Sequence, residues 1–333
     1  MQYINRRAIV IFLLLPLLLF LSIAISSCTN ENGASESKRT DGSKESLLIG
    51  FSQVNHANPW RIAETNDIKK EAQRRGYKLI LTDAESSSVK QVEDVDYLIS
   101  QKVDYIVLAP IEYEPLRPAI LSAMRAGVPL ILIDRMADGI PGEEFLTFIG
   151  SDFFEEGVRI AQWLVNKLHG KARIVELRGR AGASCATDRA LGFRSVINNY
   201  PDMEIVISRW ANFERLEGQK VMEDIILSIG RDFDAVYAHN DEMAIGAIQA
   251  LKAVGMRPGE DVILVSIDGE KDALRSIIAG ELGASVECNP RFAVEVFEVI
   301  EKHQRGEAIP PVIINEDRLF DIENAMEFIG DAF

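Results

Sequence analysis

The chain has 333 residues, of which 47% are hydrophobic and 26% are charged, a balance that is ordinary for globular proteins. Its length is sufficient for two domains, each with a core of its own. The formal net charge of −15 argues against a nucleic-acid partner, because attraction to phosphate requires an excess of Lys and Arg.

The N-terminal segment has the order of an export signal. Arg6 and Arg7 precede an apolar run over residues 8–25, and small residues then lead to Cys28. Small residues before a Cys resemble the bacterial lipobox, so residues 1–28 are predicted to be a lipoprotein signal peptide with Cys28 as the lipidation site. An uncleaved transmembrane anchor is the alternative, since the run is nearly long enough to span a bilayer. Both place the folded part outside the cytoplasm, in the periplasm or at the cell surface.

The next segment is polar, and a regular alternation follows it. Residues 29–45 are rich in Ser, Asn, Gly, Lys and Glu, which predicts a flexible linker. The aliphatic runs beyond it predict strands at Leu47–Val54, Tyr77–Leu81, Tyr105–Ala109, Leu130–Asp134 and Phe145–Gly150. Amphipathic segments between them predict helices at Trp60–Arg75, Val89–Gln101 and Pro115–Ala126. Repeated strand and helix indicate a parallel, doubly wound sheet.

The same alternation starts again after Gly150. Strands are predicted at Arg173–Leu177, Glu204–Ser208, Ala235–Ala238, Val262–Ile267 and Ala284–Glu287. Helices are predicted at Phe154–Leu168, Ala186–Asn199, Leu216–Ile229, Glu242–Val254 and Lys271–Ala279. The sequence therefore predicts an α/β protein with two such units in tandem.

Motifs of the common cofactor and metal sites are missing from this sequence. It contains no P-loop, no GxGxxG after a strand and no HExxH. The four His residues are scattered and show no ligand spacing. We therefore expect neither a cofactor nor a metal site.

Polar and aromatic residues follow several of the predicted strands. They are Asn58 to Arg61, Asp134 and Arg135, Ser184 to Arg189, Asn240 and Asp241, Asp268 and Gly269, and Glu287. Because ligands of open α/β sheets bind outside the carboxyl ends of the strands, these side chains are expected to converge on a cleft. Each one also has a purely structural alternative, such as a helix cap for Asn240 or packing for Trp60.

Together these residue types suit a neutral sugar. A sugar hydroxyl can donate a hydrogen bond to a carboxylate and accept one from a guanidinium or an amide. An aromatic ring can cover the C–H face of the sugar. The strand ends therefore predict a site for a monosaccharide.

Seven segments in order resemble the periplasmic sugar-binding proteins of the ribose-binding type, and most of all the galactofuranose-binding proteins of bacterial ABC importers. The segments are Gly50–Val54 with Trp60–Asn66, Asp104–Pro110, Leu132–Arg135, Glu176–Gly179 with Gly182–Ser184 and Asp188–Arg189, Val236–Asp241, Ser266–Gly269 and Ala284–Glu287. The resemblance runs from Leu48 to about residue 330. It implies the type I fold of these proteins, two doubly wound parallel-sheet lobes joined by a three-strand hinge.

In this family the chain crosses between the lobes three times. The resemblance therefore implies an N-terminal lobe of residues 46–150 plus 290–313. The C-terminal lobe is expected to comprise residues 151–289 plus 314–333. The crossings are expected near residues 150–151, 287–289 and 313–315.

The resemblance also implies a set of ligand-binding residues. An aromatic residue of the first strand–helix loop stacks on the sugar in this family, which corresponds to Trp60 with Arg61 beside it. The Asp-Arg pair at the fourth strand end binds ring hydroxyls, which corresponds to Asp134 and Arg135. The second lobe is expected to contribute Arg189, Phe213, Asn240 and Asp268.

One further position departs from the family pattern. The ribose binders carry a hinge Gln where this chain has Cys288. The neighbouring Glu287 is the predicted replacement, although strand alternation points its side chain the other way. A disulfide between Cys185 and Cys288 is left open, because the sequence does not establish their separation.

The implied function is that of a non-enzymatic, monomeric receptor. A monosaccharide would close the cleft, and an ABC permease in the membrane would receive the closed form, with lipid on Cys28 as the anchor. A sensory receptor of the same fold is the alternative.

An export signal in place of a helix-turn-helix argues against a cytoplasmic repressor. A glycosidase is disfavoured because it needs a protonated carboxyl group as its general acid, whereas the sequence places a cation, Arg135, directly beside Asp134. The choice between furanose and pyranose is left open.

Overall fold

The computed structural model of this protein describes residues 46–333. The predicted signal peptide, the lipidation site Cys28 and the predicted linker lie outside the described residues. No helix of the described part is long and apolar enough to cross a membrane.

The described chain contains twelve strands. In chain order they are β1 Leu48–Gln53, β2 Lys78–Asp83, β3 Tyr105–Leu108, β4 Leu130–Ile133, β5 Thr147–Gly150, β6 Lys171–Arg178, β7 Asp202–Trp210, β8 Ala235–Ala238, β9 Ile263–Asp268, β10 Ala284–Glu287, β11 Val312–Ile314 and β12 Leu319–Asp321. The ten long strands match the predicted ones to within a few residues. β11 and β12 have three residues each and were not predicted, because so short a run carries no readable alternation.

Residues 46–333 also contain ten α-helices, nine of them between successive strands and the last after β12. They are α1 Pro59–Arg75, α2 Ser88–Ser100, α3 Arg117–Ala126, α4 Phe153–Lys167, α5 Ser184–Ile197, α6 Arg215–Ile229, α7 Asp241–Ala253, α8 Lys271–Ile278, α9 Ala293–Gln304 and α10 Ala325–Phe328. Several begin or end at residues suited to that place. The side chain of Asn58 caps α1 by accepting a hydrogen bond from the backbone N–H of Arg61, and Gly76 ends the helix at a φ of 74°.

The strands form two six-stranded sheets, each in its own α/β lobe. The first has the order β11-β5-β4-β3-β1-β2 and is parallel throughout. The second has the order β12-β10-β9-β8-β6-β7, and only β12 runs antiparallel to its neighbour. The predicted fold class, two doubly wound parallel-sheet lobes, is confirmed.

The chain passes from one sheet to the other three times, after β5, after β10 and after β11. Within each sheet the strand order reverses beside the first strand of the lobe, β1 in one and β6 in the other. Such a reversal opens a crevice at the carboxyl ends of the strands, because the helices that follow neighbouring strands lie on opposite faces. The fold therefore creates one crevice in each lobe.

Candidate functional site

A cavity lies where the two crevices meet. Its lining comes from both lobes and from the second chain crossing, and it consists of Asn58, Trp60, Arg61, Asp134, Arg135, Cys185, Arg189, Phe213, Asn240, Asp268 and Cys288. All of these except Asn58 are at most 8% exposed. Such deep burial of polar side chains from two lobes shows that the lobes are closed over the cavity.

Eight of the nine predicted contact residues line this cavity. The ninth, Glu287, does not. Its carboxylate forms a two-point ion pair with Arg318, at 2.7 and 2.8 Å. Side chains alternate along a strand, so that the adjacent Cys288 faces the cavity and Glu287 faces away. We therefore remove Glu287 from the set of candidate contacts.

Trp60 is held in place by contacts with the chain crossing after β10. Its indole N–H donates a hydrogen bond to the carbonyl oxygen of Cys288 at 2.8 Å. Its ring centroid lies 5.9 Å from that of Phe292. The guanidinium of Arg61 stacks 4.6 Å from the centroid of the indole. The ring orientation is therefore determined before any ligand enters.

In the first lobe, Arg61 joins two carboxylates. Its Nη1 donates to Oε2 of Glu64 at 2.9 Å, and its Nη2 donates to Oδ2 of Asp134. Burial would lower the pKa of Arg61, but the two carboxylates outweigh it and raise the pKa above its ordinary value. Arg135 lies on the other side, with its Nε 3.3 Å from the same Oδ2. Asp134 adopts a φ of 63°, which turns its carboxylate from the end of β4 into the cavity.

In the second lobe, Arg189 has the corresponding position. Its Nε donates to Oε2 of Glu156 at 2.7 Å, and its Nη2 lies 3.4 Å from Oδ1 of Asp268. Its Nη1 donates to the backbone carbonyl of His239 at 2.7 Å. Burial raises the pKa of Glu156 to about 7 against the opposing effect of Arg189. The arginine side chain is thus fixed at three points.

Asn240 has both roles considered in the sequence analysis. Its Oδ1 caps α7 by accepting from the N–H of Met243 at 3.1 Å, and it also lines the cavity. Its Nδ2 donates to the carbonyl oxygen of Phe213 at 3.3 Å. The Phe213 ring lies under the guanidinium of Arg135, 5.0 Å away and on the opposite lobe. Phe213 can approach because Gly179 faces it without a side chain.

Both cysteines of the cavity are free thiols. Burial raises the pKa of Cys185 and of Cys288, so these thiols are neutral and weakly reactive. In residues 46–333, no group of three or more His, Cys, Asp or Glu side chains is arranged to hold a metal ion.

Two residues beside the cavity were missed by the sequence analysis. Glu64 follows Arg61 by three positions on a helix, a spacing that signals a pair and could have found it. Glu156 lies 33 positions from Arg189, so no local pattern connects them. Only the packing of α4 against α5 brings these two together.

Comparison with known proteins gives a match over most of the chain. Residues 49–298 match the periplasmic binding protein domain family. The galactofuranose-binding protein YtfQ of Escherichia coli is 39% identical over 267 residues, which cover 79% of this chain and 84% of that protein.

Two solved structures share the fold. One is the periplasmic binding protein component of the arabinose ABC transporter from Shewanella sp. ANA-3, bound to α- and β-L-arabinofuranose. It has a TM-score of 0.83 and 38% identity, and the match covers 86% of this chain and 95% of that chain. The other is the fructose-binding periplasmic domain of a hybrid two-component system, with a TM-score of 0.79, 28% identity and coverage of 86% and 94%.

Proposed function

The chain belongs to the periplasmic binding protein domain family, and we propose that it is the extracytoplasmic substrate-binding lipoprotein of an ABC sugar importer. The predicted family resemblance is confirmed by this membership, as is the prediction that the chain is a binding protein rather than an enzyme. In the proposed role it binds one monosaccharide in the cavity between the lobes and presents the closed form to a membrane permease.

The observation that carries this proposal is the mixed lining of the cavity. Asp134 and Asp268 can accept from sugar hydroxyls, while Arg61, Arg189 and Asn240 can donate to them. The aromatic rings of Trp60 and Phe213 stand beside these groups and can cover the C–H faces of a sugar. Each lobe supplies at least one group of each kind, so a ligand gains its full set of contacts only when the lobes are closed.

Closure supplies the signal to the permease. A ligand shifts the open–closed equilibrium only by its difference in affinity for the two forms. Contacts from both lobes provide that difference, and the three chain crossings are where a hinge motion is absorbed. Binding of the sugar is therefore converted into a conformational change that the permease can recognise.

The ligand class we propose is a monosaccharide, either galactofuranose-like or another pentose or hexose. Support comes from the names of two relatives, a galactofuranose-binding protein and an arabinose-transport component bound to arabinofuranose. Lipid on Cys28 would hold a monomeric protein near the permease, since several acyl chains anchor a protein stably. The sequence between residues 29 and 45 would act as the tether.

A sensory role is the second candidate function. It is favoured by the likeness to the fructose-binding periplasmic domain of a hybrid two-component system. In that case the same closure would be read by a membrane kinase or a chemoreceptor. Loss of sugar uptake on deletion of this chain would support transport, whereas normal uptake with a lost transcriptional or chemotactic response would support sensing.

The binding proposal is tested by thermal shift and calorimetry on the full chain purified in detergent. The panel contains galactofuranosides, D-galactose, D-ribose, L-arabinose and D-fructose. A ligand at a hundred times its dissociation constant should stabilise the protein by about 2.7 kcal/mol. Asp134→Ala and Arg189→Ala should abolish this shift.

Two surface substitutions serve as matched controls. Asp261→Ala and Arg257→Ala break an exposed ion pair that does not line the cavity and should leave the shift intact. A shift that survives in Asp134→Ala and in Arg189→Ala would refute the assignment of the cavity. No shift with any sugar would refute the proposed ligand class.

A further inference from the structure

Each lobe holds one of its cavity arginines in the same way. In the first lobe, Arg61 lies between Asp134, which lines the cavity, and Glu64, which stands behind it on α1. Glu64 is fully buried, and Nε2 of Gln53 also donates to it at 2.8 Å. Three polar groups are therefore held in a row that starts at the cavity and ends in the core.

The second lobe repeats the arrangement with different elements. Arg189 lies between Asp268, which lines the cavity, and Glu156, which stands behind it on α4. Glu156 is 2% exposed. Here the arginine and the glutamate come from separate helices, whereas in the first lobe they come from one. Two different local sequences have thus produced the same chemical order of Asp, Arg and Glu.

Glu64 and Glu156 change the electrostatic potential of the cavity, although neither residue lines it. The lining contains three guanidinium groups and two carboxylates, which alone would favour an anionic ligand. Glu64 and Glu156 add two carboxylates directly behind Arg61 and Arg189. Because water is largely excluded, such charges act on a ligand more strongly than they would at the surface.

We propose that Glu64 and Glu156 are matched positioning residues that determine which ligand charge this cavity accepts. By holding and neutralising the arginines from behind, they make the cavity prefer neutral sugars over sugars that carry a carboxylate. This inference rests on the proposed function, since it concerns the selectivity of the same sugar site. A purely structural role of the two ion pairs makes a different prediction, because it would change the affinity for neutral and anionic sugars alike.

The test compares sugars that differ only at C6, where a neutral CH2OH group is replaced by a carboxylate. Titration calorimetry on the full chain, at pH 8 and low ionic strength, measures D-galactose against D-galacturonate and D-glucose against D-glucuronate. Glu64→Gln and Glu156→Gln keep the size and the hydrogen-bonding oxygen of the side chain. Each should raise the ratio of uronate affinity to neutral-sugar affinity by about tenfold, and the double variant should raise it further.

Two other glutamates on the same helices, Glu71 and Glu155, provide the control substitutions. Glu71→Gln removes a carboxylate of α1 that pairs with Arg74 and Arg75 away from the cavity. Glu155→Gln removes an exposed carboxylate of α4, next to Glu156 in sequence. Both should leave the affinity ratio unchanged.

A pH series on the unaltered protein provides a second readout that requires no variant. Burial raises the pKa of Glu156 to about 7 and that of Glu64 in the same direction. The groups that face Glu64 are Arg61, Asp134 and Gln53. A uronate, with a pKa near that of an α-carboxyl at about 3.5, stays ionised from pH 8 to 6. Over this range the wild-type ratio should therefore rise toward that of the double variant.

The groups that face Glu156 are Arg189, Asp317 and Cys288. Asp317 and Asp268 also titrate, so the double variant is measured over the same pH range and any slope it retains is attributed to them. An affinity ratio that is the same in the wild type, Glu64→Gln and Glu156→Gln would overturn the inference while leaving the sugar site standing. A wild-type protein that prefers the uronate would overturn it as well. Binding of none of these sugars or those of the first panel would overturn both proposals together.

Discussion

The indole N–H of Trp60 donates a hydrogen bond to the carbonyl oxygen of Cys288 at 2.8 Å, although the two residues are 228 positions apart in the chain. Trp60 lies in the first turn of α1, and Cys288 lies in the second crossing between the lobes. The bond therefore connects the wall of the cavity to a segment that must move when the lobes open.

Trp60→Phe should weaken sugar binding by roughly tenfold and destabilise the protein by about 1 kcal/mol, because the hydrogen bond and part of the aromatic surface are lost. Calorimetry and urea unfolding measure the two effects. Trp163→Phe is the matched control, since its indole N–H also bonds a distant residue, Asp321, at 3.0 Å but outside the cavity. It should lose stability and keep its affinity, and an equal loss of affinity in both variants would contradict the prediction.

Arg180→Ala should shift the unliganded protein toward the open form. Arg180 of the second lobe donates to Oε1 of Glu112 at 2.9 Å and to the carbonyl oxygen of Ser86 at 3.0 Å, both in the first lobe. Partly exposed pairs are worth about 0.2–1 kcal/mol, so sugar affinity should fall a few-fold at most. Small-angle scattering should show a larger radius of gyration without sugar and the wild-type radius at saturation. Arg173→Ala breaks pairs within one lobe, and a similar expansion there would rule out a specific effect.

Gly179→Ala should disturb the sugar site through Phe213. A Cβ at this glycine would lie 1.9 Å from Cζ of the Phe213 ring, so the ring must shift from its place beside Arg135. Overpacking of this kind costs about 1–3 kcal/mol of stability. Thermal unfolding should show that loss together with weaker sugar binding. Gly330→Ala, where a Cβ would meet nothing within 4 Å, should change neither quantity.

Glu156→Gln should become more stable relative to the wild type as the pH rises from 5 to 7. Burial raises the pKa of Glu156 from its ordinary 4.5 to about 7, while the unfolded chain keeps the ordinary value. Between these pH values the folded state binds a proton that the unfolded state does not, so each added pH unit costs the wild type about 1.4 kcal/mol of unfolding free energy. Gln has no proton to lose.

Urea unfolding of both proteins without ligand, from pH 5 to pH 8, measures this difference. Titrating groups that do not interact with Glu156, among them His239 with a burial-lowered pKa of about 4, contribute equally to both proteins and cancel. A difference that stays constant from pH 5 to pH 7 would show that Glu156 remains ionised in the folded protein.

Much of the fold could be predicted from the sequence because its signals are local. A buried parallel strand such as β4 reads as a short aliphatic run, and a following glycine or proline shows where an element ends. The recurrence of strand and helix then indicates doubly wound sheets. The short β11 and β12 escaped because pairing partners far away in the chain, rather than their own residues, make them strands.

The site residues also differ in how far a local sequence signal predicts them. Asp134, Asn240 and Asp268 could be predicted because a strand end is recognisable and parallel strands all end at one edge of a sheet. Glu287 does not line the cavity, because the alternation of side chains at the end of β10 places Cys288 toward it.

By itself the sequence determined the two lobes and the strand ends that meet at the cavity, since these follow from hydrophobic periodicity and turn residues. It also determined the family, which follows from the seven motif segments. The tertiary structure alone decided that Arg61 and Arg189 pair with Glu64 and Glu156 behind the cavity. It also decided that Trp60 hydrogen-bonds the second crossing and that Cys185 and Cys288 are free. The physical reason is distance along the chain. Contacts such as Glu156 with Arg189 form when whole helices pack together, and packing depends on the summed shape of many side chains rather than on any local pattern.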